Sequence, residues 1–417
     1  MRNVFDQYQQ PENRLTHALV TTLSHERKLI RPFLRWLGVT EIPPERDIHL
    51  VEQQVPGIPI AGDEGETQGL PDACLYNDDG WAVLIEAKVQ APVRAGQLRR
   101  HHRTAKRFGY PDPHLIVLST DRARKPLPHQ ARLVEWCEVY SWFRRHAGSH
   151  PWARLFVDYL QVFESRMIAQ NYTIRGTLTM FDGFHFGEDN PYTYAEGKRI
   201  IRLLADELRK RKDLKDLGID PKAPGRTAIT GRSQEAVWDF IALKTARGAN
   251  SFTAYPHLTM TIGREGAGAA VTVPNGVKGG FRTKLKEEGV EGFWDLMTDL
   301  EKRLRPVINK STGAKPMVYV VQRHYRSQRS VAAIDGRLAV DLRTTRRRKG
   351  DMVKYQPQWI EAVYELLVNK RSNIQLGLDV RFSYDCPVVR SRRVADLFAQ
   401  TWVAAGPLLD FVLQPAE

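Results

Sequence analysis

At 417 residues and 42% hydrophobic content, the chain is long enough to bury a sizeable core and is expected to form two domains. Its three cysteines, Cys74, Cys137 and Cys386, are too few and too dispersed for a disulfide framework or a zinc knuckle. The net charge of +14 favours polyanionic partners, and no apolar run approaches a membrane span. The polar start MRNVFDQYQQPE does not read as a signal peptide, so a reduced, cytoplasmic setting is expected. HExxH, Walker A and GxSxG patterns are absent.

Residues 11–24 carry a helical period. Pro11 occupies the first turn, where its missing N–H is harmless, and Leu15, Leu19 and Leu23 recur at helical spacing. Glu12 opens this helix on the side that leans toward the core. It is an ordinary first-turn acid favoured by the helix dipole, or part of a site. The acidic stretch 63–69 (DEGETQG) reads as a solvated loop or a lid and holds two rival carboxylates, Glu64 and Glu66.

Residues 70–89 (LPDACLYNDDGWAVLIEAKV) predict a β-hairpin. The run 81–89 is apolar at almost every position, as in a central strand buried on both sides. Alternation puts Val83, Ile85, Ala87 and Val89 on one face and Glu86 with Lys88 on the other. With Asp78-Asp79-Gly80 as a three-residue loop, Gly80 takes the left-handed position and Asn77 pairs with Trp81. Counting back sets Asp72 opposite Glu86, about 5 Å away on one face. A two-residue loop would place Asp72 on the other face. Two carboxylates and a lysine at a strand pair suit a divalent metal held by oxygen ligands; they also suit a structural ion pair of Lys88 with Glu86 or Asp72.

Residues 91–110 predict a helix with no acidic residue, rich in Arg99, Arg100, Arg103 and further cations, with Gln97 near its start. Its basic face suits phosphate contacts that position a duplex without reading it. Residues 114–120 predict a buried strand. Residues 134–140 begin as a short apolar segment and run into a helix, with Trp136, Trp142 and Phe143 as core aromatics.

Pro71-Asp72 followed by Glu86-Ala87-Lys88 resembles the PD-(D/E)xK nuclease superfamily, the restriction-endonuclease-like fold, over roughly the first 165 residues. The motif is short, and Asp182 with Glu196-Gly197-Lys198 repeats its spacing. Glu196, however, opens an amphipathic helix, so only the first match has strand, turn and strand. The resemblance implies a Mg²⁺ site, with Mn²⁺ as a substitute, held by Asp72, Glu86 and the Ala87 carbonyl. Glu12 would support the metal and Lys88 would activate water. RecB-like members carry a QxxxY helix motif after the lysine strand; Gln97 matches it, but the fifth position is His101. Gln97 would brace the site or touch the DNA backbone, or is simply solvated.

Residues 171–190 read as a connector, 191–216 as a long charged helix and 221–231 as a turn-rich break. Strands are predicted at 257–262, 269–273, 316–323, 337–342 and 374–383, and helices near 278–306, 356–370 and 391–404, giving an α+β domain on an antiparallel sheet. Residues 301–350 hold 14 Lys and Arg against 3 Asp and Glu. Arg323, Arg326, Arg329, Arg337, Arg346, Arg347, Arg348 and Lys349 lie in this span, and RTTRRRK at 343–349 predicts an exposed loop facing phosphates or solvent. No recognition helix is evident.

The fold expected is therefore α/β: a restriction-endonuclease-like mixed sheet flanked by helices over 1–170, then a basic α+β domain over 171–417 with a DNA-binding or sensor role. The expected activity is a Mg²⁺-dependent deoxyribonuclease, an endonuclease before an exonuclease, acting in phage defence, restriction or repair. A homodimer or a partner protein of a defence system fits the same resemblance. The alternatives are a non-catalytic nucleic-acid-binding protein that keeps the fold, and a polyanion-sensing module with a structural ion pair at the hairpin.

Overall fold

The computed structural model describes residues 4–57, 69–121, 126–170, 176–188, 190–223, 225–226, 235–247, 252–277, 280–324, 326, 333–347, 353–369 and 373–414. The chain divides into two compact units, Met1–Met180 and Phe181–Glu417. The boundary falls ten residues beyond the one expected from sequence, because Leu178 and Met180 still pack into the first core.

In the first unit, α1 (Pro11–His25) and α2 (Ile30–Trp36) precede the strands β1 (His49–Glu52), β2 (Ala73–Tyr76) and β3 (Ala82–Lys88). Then follow α3 (Ala95–Arg107), β4 (His114–Ser119), β5 (Arg132–Glu135), α4 (Trp136–His146) and α5 (Pro151–Ala169). The five strands form one mixed sheet in sequence order. β1, β2 and β3 are antiparallel neighbours, whereas β3–β4 and β4–β5 are parallel. A parallel neighbour needs a crossover, and α3 supplies it between β3 and β4.

β3 is buried on both faces, as its apolar run predicted. Val83, Ile85, Ala87 and Val89 pack into a core shared with Leu15, Leu19 and Leu23 of α1 and with α4 and α5. Ala82 and Leu84 face the other way, against Leu98 and Ala105 of α3. Trp136, Trp142 and Phe143 are buried in the first of these cores.

The second unit carries α6 (Tyr194–Lys210), α7 (Lys212–Asp216), β6 (Ala236–Ile241), β7 (His257–Gly263), β8 (Ala267–Val273) and α8 (Phe281–Lys310). After them come β9 (Lys315–His324), β10 (Ala333–Asp341), α9 (Gln358–Val368), β11 (Ile374–Phe382), α10 (Val394–Ala404) and α11 (Gly406–Leu413). The sheet is antiparallel throughout, in the order β10-β9-β11-β8-β7-β6. One face, with Leu258, Met260, Val271, Val318, Leu376 and Leu378, packs against the helices.

Several elements differ from expectation. The predicted helix 191–216 is two helices, broken at Arg211, whose extended ψ of 136° ends the first. Helix α8 is interrupted at Gly289, where φ is 69°. The short strands β1 and β6 and the helix α11 were not predicted, and β5 proves a paired strand ahead of its helix. Glu196 does open a helix, capped by the Thr193 hydroxyl, so the second copy of the nuclease-like spacing stands on no hairpin.

Candidate active site

The hairpin register is the one that a three-residue loop demands. Ala73 pairs with Ile85 and Tyr76 with Ala82, and the Asn77 N–H donates to the Trp81 carbonyl at 3.0 Å. Gly80 has φ 86°, the left-handed conformation such a loop ends on. Continued by one residue, this register sets Asp72 across from Glu86. Asp72 stands just ahead of β2, and its Oδ2 accepts the Ala87 N–H at 2.7 Å. The Lys88 carbonyl, by contrast, accepts the Thr120 N–H at 3.1 Å on the β4 side. Peptide groups along a strand alternate between its two edges. Ala87 therefore turns its backbone groups to the edge where β2 has run out and Asp72 takes over.

Glu86 is only 3% exposed, under α3. Its Oε1 accepts from Gln97 Nε2 at 2.6 Å and from Lys88 Nζ, and its Oε2 meets His101 Nε2 at 2.9 Å. Gln97 and His101 are four residues apart and so share one face of α3. Three donors offset the cost of burying the carboxylate. His101 is 2% exposed, and its Nδ1 has no hydrogen-bond partner among the described residues. The sequence marked His101 only as a departure from a tyrosine. Its spacing from Gln97 on a helix after the lysine strand was the signal for its place beside Glu86.

Burial, and after it the charge of Glu86, pushes the Asp72 carboxyl up to about 6, against the Ala87 N–H, Lys88 and His101, which pull it down. Asp72, Glu86, Lys88, Gln97 and His101 thus form one interacting group. Glu12 stands at the start of α1, where its Oε1 accepts the N–H groups of Val89, Gln90 and Ala91 at 3.2, 3.0 and 3.4 Å. Burial raises its carboxyl, but these donors outweigh burial and hold it below the usual range. Glu12 ties α1 to the turn immediately after Lys88. Among the described residues, no group of three or more His, Cys, Asp and Glu is arranged to hold a metal ion. Glu64 and Glu66 lie outside the described residues.

Gly69 brings the chain close to α3 as it enters the hairpin. A side chain there would strike Arg100 and the backbone of His101, and the Gly69 N–H donates to Thr104 Oγ1 at 3.1 Å. The outer side of α3 exposes Arg99, Arg100 and Arg103, as its sequence predicted.

The basic cluster of the second unit is less free than its sequence suggested. Leu342, Thr344 and Thr345 are buried in a short 3₁₀ turn. Arg343 is paired with Asp341 at 2.6 Å, and Arg346 reaches the buried Glu301 at 3.4 Å. Arg347 stacks over Tyr355, and Arg323 donates to Gln375 Oε1 at 3.3 Å. Arg326 is exposed; Arg329, Arg348 and Lys349 lie outside the described residues. The predicted exposed loop is thus a buried and ion-paired segment as far as Arg346, because its carboxylate partners come from Asp341 and from distant Glu301.

No helix among the described residues is long and apolar enough to cross a membrane. No protein-family model matches the chain, and no curated protein matches it either.

Proposed function

We propose that the first unit is a restriction-endonuclease-like, Mg²⁺-dependent nuclease that hydrolyses DNA phosphodiesters. The observation that carries this reading is the crowding of Asp72 against Glu86 at the end of a buried strand, with Lys88 beside them. An Asp72 carboxyl raised by burial and by the neighbouring Glu86 is relieved by a divalent cation, and Mg²⁺ needs only one or two protein carboxylates, with water and substrate phosphate completing its shell. The donor set fits: Asp72 and Glu86 offer hard oxygens, and the Ala87 backbone faces the same edge. When bound, the metal supplies charge neutralisation at the phosphate and a more acidic water.

The residues of the chain do the rest. Lys88 Nζ, held beside Glu86, orients the attacking water and offsets the charge that develops on the phosphate. Gln97 and His101 hold the Glu86 carboxylate in place, and Glu12 fixes the turn that ends the lysine strand. Arg99, Arg100 and Arg103, on the outer side of α3, receive backbone phosphates. Phage defence, restriction or repair in the cytoplasm is the setting that the motif suggests, and a homodimer cutting both strands fits it.

A second reading has one observation in its favour. Both oxygens of Glu86 already accept hydrogen bonds from the chain, as in a structural network inside a nucleic-acid-binding protein that does not cut.

Incubation of linear, nicked, supercoiled and single-stranded DNA with Mg²⁺ or Mn²⁺ separates the two readings. Loss of metal-dependent cutting in both Lys88→Ala and Asp72→Ala, with folding and DNA binding retained, supports the nuclease. Equal cutting by wild type and both variants rejects this site, and DNA binding without cutting by the wild type favours the second reading.

A further inference from the structure

We propose that the second unit binds a small phosphate-bearing anion at Lys198 and Arg202 of α6. Lys198 is the lysine of the second copy of the nuclease-like spacing, which stands on no hairpin, so the proposed cleavage has no use for it. It is nonetheless only 6% exposed. Among the described residues it makes no hydrogen bond and no ion pair. The polar atoms fully enclosed without a partner include Tyr192 Oη and Arg209 Nε but not Lys198 Nζ. The ammonium therefore keeps a path to water while the rest of the side chain is buried.

A buried lysine with no anion beside it is costly. Its Nζ stands 5.6 Å from the centroid of the Tyr194 ring, a contact that offsets part of the charge but supplies no counter-ion. The next charge along has the same sign. Arg202 lies one turn further on the same face of α6, is half-buried, and also makes no hydrogen bond or ion pair among the described residues. Burial first, and then the charge of Arg202, hold the Lys198 amine below the usual lysine range. Tyr194 is close enough to Arg226 to act on its charge as well, so a third cation borders the same residue. The nearby acids are committed elsewhere. Glu196 accepts from Arg199 Nε at 2.8 Å, and Asp206 pairs with Arg209 at 3.4 Å. Asp239 accepts the N–H groups of Arg226 and Phe240, each at 2.8 Å.

A lysine that merely coats a helix swings its head into water; Lys198 is held in. Like charges four residues apart on a helix repel, and one anion within reach of both relieves them. A phosphate group suits the pair. Its oxygens accept charge-assisted hydrogen bonds, with the Arg202 fork on two of them and Lys198 as a point charge on a third. Because only the end of Lys198 is open, a free phosphate or the terminal phosphate of a nucleotide reaches it, whereas the stiff backbone of a duplex does not. Both sources share the chemistry that the site recognises. The inference concerns the second unit and does not rest on the nuclease reading.

The test is isothermal titration calorimetry of the full chain with inorganic phosphate and, separately, adenosine monophosphate, at fixed ionic strength in EDTA so that no divalent metal takes part. The wild type should bind phosphate. Tighter binding of the nucleotide would identify a nucleotide as the source, and equal or weaker binding would identify the free anion. Lys198→Met, which keeps the length of the side chain, should weaken phosphate at least about tenfold, and Arg202→Gln about threefold or more. Lys302→Met, at an exposed position of α8, should change it less than about twofold. A merely structural lysine is told apart by melting. Without phosphate, Lys198→Met should melt no lower than the wild type, because an unpaired buried charge is gone, and added phosphate should no longer raise its melting temperature. No phosphate binding by the wild type, wild-type affinity in Lys198→Met, or an equal loss in Lys302→Met would each overturn the proposal. If Lys198→Met fails to fold, Arg202→Gln carries the test, and wild-type affinity in that variant overturns it.

Discussion

His101 Nε2 lies 2.9 Å from Glu86 Oε2, and both side chains are out of water. Leucine at His101 would leave one oxygen of a buried carboxylate without its donor. His101→Leu should lower the free energy of unfolding by about 2 kcal/mol, the usual penalty for a charged group left short of a partner. His101→Gln, which can still donate, should recover part of it. Urea denaturation of the three proteins checks this, and equal midpoints would show that the contact contributes nothing.

Asp72 makes the stability of the metal-free protein depend on pH. Its carboxyl titrates at about 6 when folded against 3.8 for the free side chain. A raised carboxyl contributes stability that is complete below the unfolded value and is lost as pH rises through the folded one. The wild type in EDTA should therefore lose about 2 kcal/mol at this site between about pH 4 and pH 7. Asp72→Asn should remove that part of the slope. Parallel pH profiles for the two proteins would mean that the acids are not crowded.

Metal addition probes the same pair from the opposite direction. A ligand that binds the folded state alone raises the melting temperature with its concentration. Mg²⁺ should stabilise the wild type by a few degrees at millimolar levels and Asp72→Asn by much less. The same shift in both proteins would place any metal effect elsewhere.

Glu12 should behave with the reverse sign. Its carboxyl is lowered, so its contribution is present above the unfolded value of 4.5 and disappears as pH falls through the folded value. Glu12→Ala should cost about 1–3 kcal/mol at neutral pH, because three N–H groups lose a charged acceptor. The difference from wild type should narrow in acid. A constant difference across pH would assign the loss to packing.

Gly377 is a packing constraint, because an added Cβ there would meet the Tyr319 ring. Gly377→Ala should destabilise the second unit by about 1–3 kcal/mol, since the Tyr319 ring must move. Pairing it with Tyr319→Ala should relieve much of that loss. Additive losses in the double variant would show that the ring had room to give.

The hairpin was legible because its parts are local. A left-handed glycine, a three-residue loop and strict alternation fix which side chains face one another, and the register found is the register they imply. His101 was harder, since its place depends on how α3 lies across β3, a matter of packing between elements rather than of period. The short strand β1 escaped for a related reason: its four residues are at most half-buried and show no alternation. The run of arginines at 343–349 misled because sequence displays charges and hides their partners. Glu301, on another element and fully buried, claims both Arg305 and Arg346.

The crossover from β3 to β4 has a consequence for biosynthesis. The hairpin lies ahead of α3 in the chain, so a nascent polypeptide can present Asp72, Glu86 and Lys88 before Gln97 and His101 have left the ribosome. At that stage Glu86 is hydrated and unbraced. Its burial awaits the docking of α3, which in turn is held in place by the strand that follows. The constellation is therefore completed with the sheet, and a truncated translation product ending before residue 95 has the acids without the clamp that organises them.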